Sequence, residues 1–127
     1  MNLNGDVKMN SNFVFTFGSN LAGRHGAGAA AYAHKHHGAE WGVGEGLTGS
    51  SYALPTKGHN IECLPWSQVH NAIGRFVFFA ETRPDLTFAL TPVGTGLAGH
   101  SKRDVWETLK SLGLPSNVYL TSTWVTD

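Results

Sequence analysis

Short runs of aromatic and β-branched residues alternate along this chain with segments of helical period, and glycine crowds the joints between them. Phe13-Val14-Phe15-Thr16-Phe17 runs straight into Gly18-Ser19-Asn20, which predicts a buried strand ending in a loop. Ala27 to His37 is rich in alanine and stops at Gly38, as a helix stops at a C′ glycine. A glycine-dense loop from Gly42 to Gly49 follows, and Ser51-Tyr52-Ala53-Leu54 predicts a short strand closed by Pro55. Val69, Ala72, Ile73, Phe76, Val77 and Ala80 recur at helical spacing on one face. That helix begins near Pro65-Trp66-Ser67 and has to end before Pro84. Leu86 to Thr91 predicts another strand, which discharges into Gly94-Thr95-Gly96-Leu97-Ala98-Gly99. Ser101 then caps a helix with Asp104 three residues on, Val105, Leu109 and Leu112 forming its inner face. Gly113 ends this helix, Pro115 prevents its continuation, and Val118-Tyr119-Leu120 predicts the last strand.

Alternation on this scale implies an α/β fold, a three-layer α/β/α sandwich with a mixed, mainly parallel sheet and right-handed crossovers. The 127 residues suit one domain, placed at 13–127, and 41% hydrophobic residues are enough to bury a core. Residues 1–12 are polar apart from Val7 and Met9, and read equally as a loose arm or a short edge strand. In such sheets ligands sit beyond the carboxyl ends of the strands. Twelve of the sixteen glycines fall within 18–49 and 94–99, so the glycine excess belongs to the strand-to-helix junctions.

Several function classes fall away on composition. Nine basic residues balance nine acidic ones, which lacks the electrostatic footprint of a polynucleotide binder and argues against an anionic membrane partner. A small anion remains open, because backbone N–H groups bind phosphate without formal charge. A lone Cys63 makes neither an internal disulfide nor a Cys-rich zinc site. The polar start, with no apolar h-region, and the absence of a long apolar run predict a cytoplasmic protein. No cofactor is implied, and a homo-oligomer is left open.

Two segments carry the chemistry of small-anion binding. In Gly18 to Ala30, glycines at 23, 26 and 28 remove side chains where a backbone approaches a ligand, and the helix behind offers unpaired N–H groups. Arg24, His25, Gly26, Ala27, Gly28 and Ala29 are the candidate contacts there. The run Thr95-Gly96-Leu97-Ala98-Gly99-His100 is a second junction of the same kind, and two such loops can grip a diphosphate from opposite sides. Neither matches the dinucleotide GxGxxG or the Walker GK[ST] pattern. Lys57, just after a strand end, can supply charge to a phosphate or act as a nucleophile; it reads equally as an ordinary surface lysine. Glu45 can hydrogen-bond a ribose or a base, or be merely solvated. His34, His36 and His37 sit in a last helical turn, where positive side chains favour the dipole, so no metal site is expected. His25, His59 and His100 border the loops as polar or catalytic candidates.

These segments together resemble a macrodomain, the ADP-ribose-binding α/β/α fold, and within it the branch of DNA–ADP-ribosylation antitoxins and related glycohydrolases. The resemblance rests on Phe17-Gly18-Ser19-Asn20 with Gly26-Ala27-Gly28-Ala29-Ala30, on Pro55-Thr56-Lys57, and on Gly94 to Gly99 before Val105-Trp106, over residues 13–121. The layout is also similar to a compact family of bacteriophages and prophages. The resemblance implies that Asn20 contacts a ribose and that Gly26–Ala29 and Thr95–Gly99 hold a diphosphate. In glycohydrolase members the lysine at the Lys57 position attacks the ribose C1, assisted in some by an acid where this chain has Ala98. The implied function is binding of ADP-ribose or a related NAD-derived nucleotide. A phage protein of this kind would sequester an immune signal such as a cyclic ADP-ribose isomer in the host cytosol. The alternatives are an ADP-ribosyl glycohydrolase using Lys57 and a phage structural or interaction protein whose glycine loops are only turns.

Overall fold

A computed structural model describes residues 13–96 and 98–125, so the reading of residues 1–12 as an arm or edge strand lies outside the described residues. Strand β1 (Phe13–Asn20) is followed by helix α1 (Gly28–His36), strands β2 (Gly46–Thr48) and β3 (Ser51–Lys57), helix α2 (Trp66–Thr82), strand β4 (Thr87–Leu90), helix α3 (Lys102–Leu112) and strand β5 (Val118–Leu120). A 3-10 turn (Ser122–Trp124) closes the described chain. Among the described residues the sheet has five strands in the order β2-β3-β1-β4-β5, with β2 alone antiparallel to its neighbour.

The strand alternation of β1 sends its side chains to two different layers. Val14 joins the larger core, together with Tyr52, Leu54, Phe88, Leu90, Val118 and Leu120. Phe17 joins the smaller one, against Ala30, Ala33, Ala39 and Ala53. The larger core is covered by α2 and α3, the smaller by α1, which makes three layers with the sheet in the middle. Small residues let α1 lie close to the sheet, which its alanine content anticipates. The buried face of α2 is Val69, Ala72, Ile73, Phe76, Val77 and Ala80, the same six positions that the periodicity singles out. Ser101 caps α3 through a 3.0 Å bond from Asp104 N to its hydroxyl.

Three expectations change. β3 does not close at Pro55 but runs to Lys57. Its antiparallel pairing with β2 ends at Gly46↔Ala53, so the missing N–H of Pro55 falls beyond that neighbour and costs no ladder bond. The glycine-dense stretch after Gly42 contains a strand, β2, folded onto β3 by a tight hairpin, a pairing that glycine content alone hides. On α3 the inner face is Val105, Thr108 and Leu109, while Leu112 is exposed near the frayed end.

The close of α2 depends on a distant side chain. Asn117 Nδ2 donates toward the carbonyls of Ala80, Arg83 and Leu86 at 3.0, 2.9 and 3.1 Å, tying the helix end to the approach to β5. Asn117→Ala removes this tie, although Ala80 O and Arg83 O keep backbone donors from Arg83 N and Leu86 N, and is expected to cost about 1–3 kcal/mol in urea unfolding. A loss within experimental error would show that water replaces the amide.

Candidate functional site

The four parallel strands β3, β1, β4 and β5 deliver their carboxyl ends to one side of the sheet. From β1 the chain departs toward α1 on one face, and from β4 toward α3 on the other. A crevice opens where adjacent connections part in this way. Its depth comes from unequal strands: the last β1–β4 pair is Thr16↔Leu90, yet β1 continues to Asn20. Gly18 therefore extends the edge of β1 past the point where β4 has turned away. The step is occupied by a cleft of about 660 Å³, a size usual for small-molecule sites.

One wall is the opening of α1, from Ala27 to Ala30, with Tyr32 one turn on. Ala27 supplies no side-chain cap, and the first turn contains no acidic residue. The N–H groups at the start of α1 thus lack a capping side chain at the positive end of the helix dipole. Gly28 has φ +59°, a backbone angle that favours glycine, and open space where a Cβ would stand. Opposite lies the loop after β4, Thr91 to Gly96 with Ala98, held as a turn by His100 N to Gly94 O at 2.9 Å and Gly99 N to Gly96 O at 3.0 Å. Lys57 and Thr56 close one end at the tip of β3, and Thr121 and Thr123 close the other beyond β5.

The polar groups of the cleft are sorted by direction. Thr91 Oγ1 donates to Thr16 O at 2.8 Å, Thr95 Oγ1 to Pro92 O at 2.6 Å, and Thr56 Oγ1 to Ser19 O at 3.4 Å. With these protons turned inward, the three hydroxyls offer lone pairs to a guest. Donors for an anion come instead from the start of α1 and from Lys57, the one charged side chain among the described lining residues. Among the described residues no carboxylate lines the cleft to repel an anion or to act as an acid or base.

Of the residues expected from sequence, Ala27, Gly28, Ala29, Lys57, Thr95, Gly96 and Ala98 are brought together here. Leu97 lies outside the described residues. Asn20 is buried at the end of β1 and clamps the loop, its Oδ1 accepting from Arg24 N and its Nδ2 donating to Arg24 O, both at 2.9 Å. Arg24 is exposed and does not line the cleft. His25, 2% exposed, donates from Nε2 to Glu40 O at 3.0 Å and packs edge-on against Phe17, so it is a core histidine. Gly26 lies beside Trp41, and Gly99 is spent on the turn. His100 packs at a tilt against Trp66, with ring centroids 5.0 Å apart and planes at 57°. His59 is exposed in the turn after β3.

Glu45 is the largest displacement from expectation. It reaches across to α2, where Arg75 Nε and Nη2 donate to its two oxygens at 2.6 and 3.1 Å. The pair sits over Tyr52, whose hydroxyl is pushed up to about 12 by burial first and the Glu45 carboxylate second, against the opposing pull of Arg75. An ultraviolet titration is expected to show Tyr52 ionising only as pH approaches about 12. Because the folded value lies above the ordinary 10, folding stability tied to Tyr52 is present below pH 10 and declines as pH rises toward 12. Ionisation of Tyr52 at the ordinary value of 10 while the fold persists would contradict this placement.

Residues that sequence reasoning missed include Phe15, Gly18, Tyr32, Thr91 and Thr121. Thr91 and Thr121 each directly follow a parallel strand, and that position is a usable signal. Phe15 and Tyr32 face the cleft through strand and helix phase, which shows only once α1 is docked.

Among the described residues no helix is long and apolar enough to cross a membrane, and no group of three or more His, Cys, Asp or Glu converges on a metal position. No protein-family model matches the chain, and no curated protein matches it. Solved structures do match. One, from Bacteroides thetaiotaomicron and described as a protein of unknown function, has a TM-score of 0.63 at 14% identity, covering 95% of this chain and 93% of that one. A second crystal structure from the same organism, a structural-genomics target, has a TM-score of 0.60 at 14% identity, with 94% of each chain covered. At this identity the likeness establishes a shared α/β/α fold.

Proposed function

We propose that the cleft binds ADP-ribose or a related NAD-derived nucleotide, its diphosphate held between the start of α1 and the loop after β4. The observation that carries this reading is the facing of an uncapped helix start and a glycine turn across the strand ends, with Lys57 the sole charge among the described lining residues. Backbone donors and one lysine suit a small diphosphate on a chain of zero net charge. The macrodomain resemblance of the sequence supports the same guest. Binding without turnover is the favoured form, because a lysine attacking a ribose carbon here finds no carboxylate to assist it among the described lining residues. Such a binder suits the sequestering of a nucleotide signal, in a phage-infected cell or elsewhere.

Calorimetry of the full chain against ADP-ribose, its cyclic isomers and ADP tests the reading. Saturable binding is expected, together with a rise in melting temperature at saturating ligand. Absence of heat and of any thermal shift at millimolar ligand would sink it and favour a structural role for the loops. Release of ADP-ribose from modified DNA or protein, lost in Lys57→Ala, would instead establish the glycohydrolase.

A further inference from the structure

Of the α1 residues that line the cleft only Tyr32 has a large side chain, and the core does not use it. The helix buries Ala30 and Ala33, whereas Tyr32 is 51% exposed and lines the cleft. Tyr32 lies four residues after Gly28, so it stands on the same side of the helix, about 5.4 Å further along the axis. Its ring packs at a tilt against three others: Phe15 at 5.4 Å, His36 at 4.7 Å and His37 at 5.4 Å between centroids. Phe15 is in turn stacked on His37 at 4.8 Å and 13°. A ring already fixed by its neighbours loses little freedom when a flat guest settles on it. Between it and the helix start stand only alanines, which leave the path along the wall open.

An anion cradle with an aromatic ring one helical turn away matches a nucleoside 5′-phosphate, in which one ribose separates phosphate from base. We propose that Tyr32 is the stacking platform for the heterocyclic base of a nucleotide whose phosphate rests at the start of α1. This rests on the cleft reading above and adds where the base lies and what holds it. Stacking on every base's π-face makes the platform tolerant of base identity, so adenine is not singled out by Tyr32.

The test compares ADP-ribose with inorganic pyrophosphate, a base-free probe, on the full chain and on Tyr32→Leu and Tyr32→Phe. Tyr32→Leu is expected to weaken ADP-ribose roughly tenfold and to leave pyrophosphate unchanged. Tyr32→Phe keeps the ring and is expected to hold ADP-ribose within about twofold. Unchanged ADP-ribose affinity in Tyr32→Leu overturns the platform and leaves the diphosphate reading standing. Equal losses for both probes also overturn it, because Tyr32 would then be supporting the helix start. Failure of ADP-ribose to bind the unaltered protein overturns the cleft reading, and the platform with it.

Discussion

Alanine at position 23 is expected to destabilise the protein by at least about 3 kcal/mol, among the larger losses a single methyl can cause. Gly23 has φ +69°, a left-handed angle that costs a residue with a Cβ roughly 1–2 kcal/mol by itself. The added carbon would also be driven into the backbone of Gly42 and Val43, which has no flexible end to give way. That contact is no accident of the loop. Gly42 N donates to Gly23 O at 2.9 Å, joining the two loops main chain to main chain, while Gly23 N to Asn20 O at 2.9 Å closes the turn within the first. Ser19 Oγ adds a bond to Gly44 O across the same seam. Urea unfolding followed by tryptophan fluorescence measures the loss, with Gly26→Ala as the control. At Gly26 a Cβ meets only Trp41 at 3.9 Å, so a change within about 0.5 kcal/mol is expected there. Similar small effects at both positions would mean that the 20–28 and 40–44 segments are not packed as described.

The second large effect concerns binding. Lys57→Ala is expected to weaken ADP-ribose by about 10- to 100-fold, the usual worth of a charged hydrogen bond to phosphate in a site with no other cation. Among the described residues no carboxylate forms an ion pair with Lys57, so the melting temperature without ligand is expected to stay put. Lys57→Arg keeps the charge but not the compact ammonium, and is expected to restore part of the affinity. A Lys57→Ala variant that binds as tightly as the unaltered chain would remove the lysine from the site and leave the backbone cradle to act alone.

Much of the fold was legible in the sequence because it is written in local periodicity. The six buried positions of α2, the aromatic run of β1 and the Ser101–Asp104 cap all follow from spacing within a dozen residues. The readings that failed involve neighbours distant in sequence. Pro55 continues β3 only because β2 has already stopped pairing on that side, and β2 exists only because β3 is there to receive it. The candidate site shows the same division. Lys57 and the opening of α1 were found because strand ends and helix starts meet ligands in parallel sheets. Glu45 was misplaced because a residue in a glycine-rich loop has no phase, and an arginine 30 residues later claimed it.

The glycine excess shows where the boundary falls. By itself the sequence determined that glycines gather at the joints of a layered α/β chain, because short strands and helices need tight, permissive connections. Their division of labour was decided by tertiary structure. Gly23 and Gly44 let one loop lie on another, and a Cβ at Gly49 would stand 2.6 Å from Gly38 O. Gly28 and Gly96, which have no heavy atom within 4 Å of where a Cβ would be, line the cleft, as do Gly18 and Gly94 against Thr56. A glycine's role lies in what approaches it, and that approach is set by strand order, stagger and the face on which each helix docks.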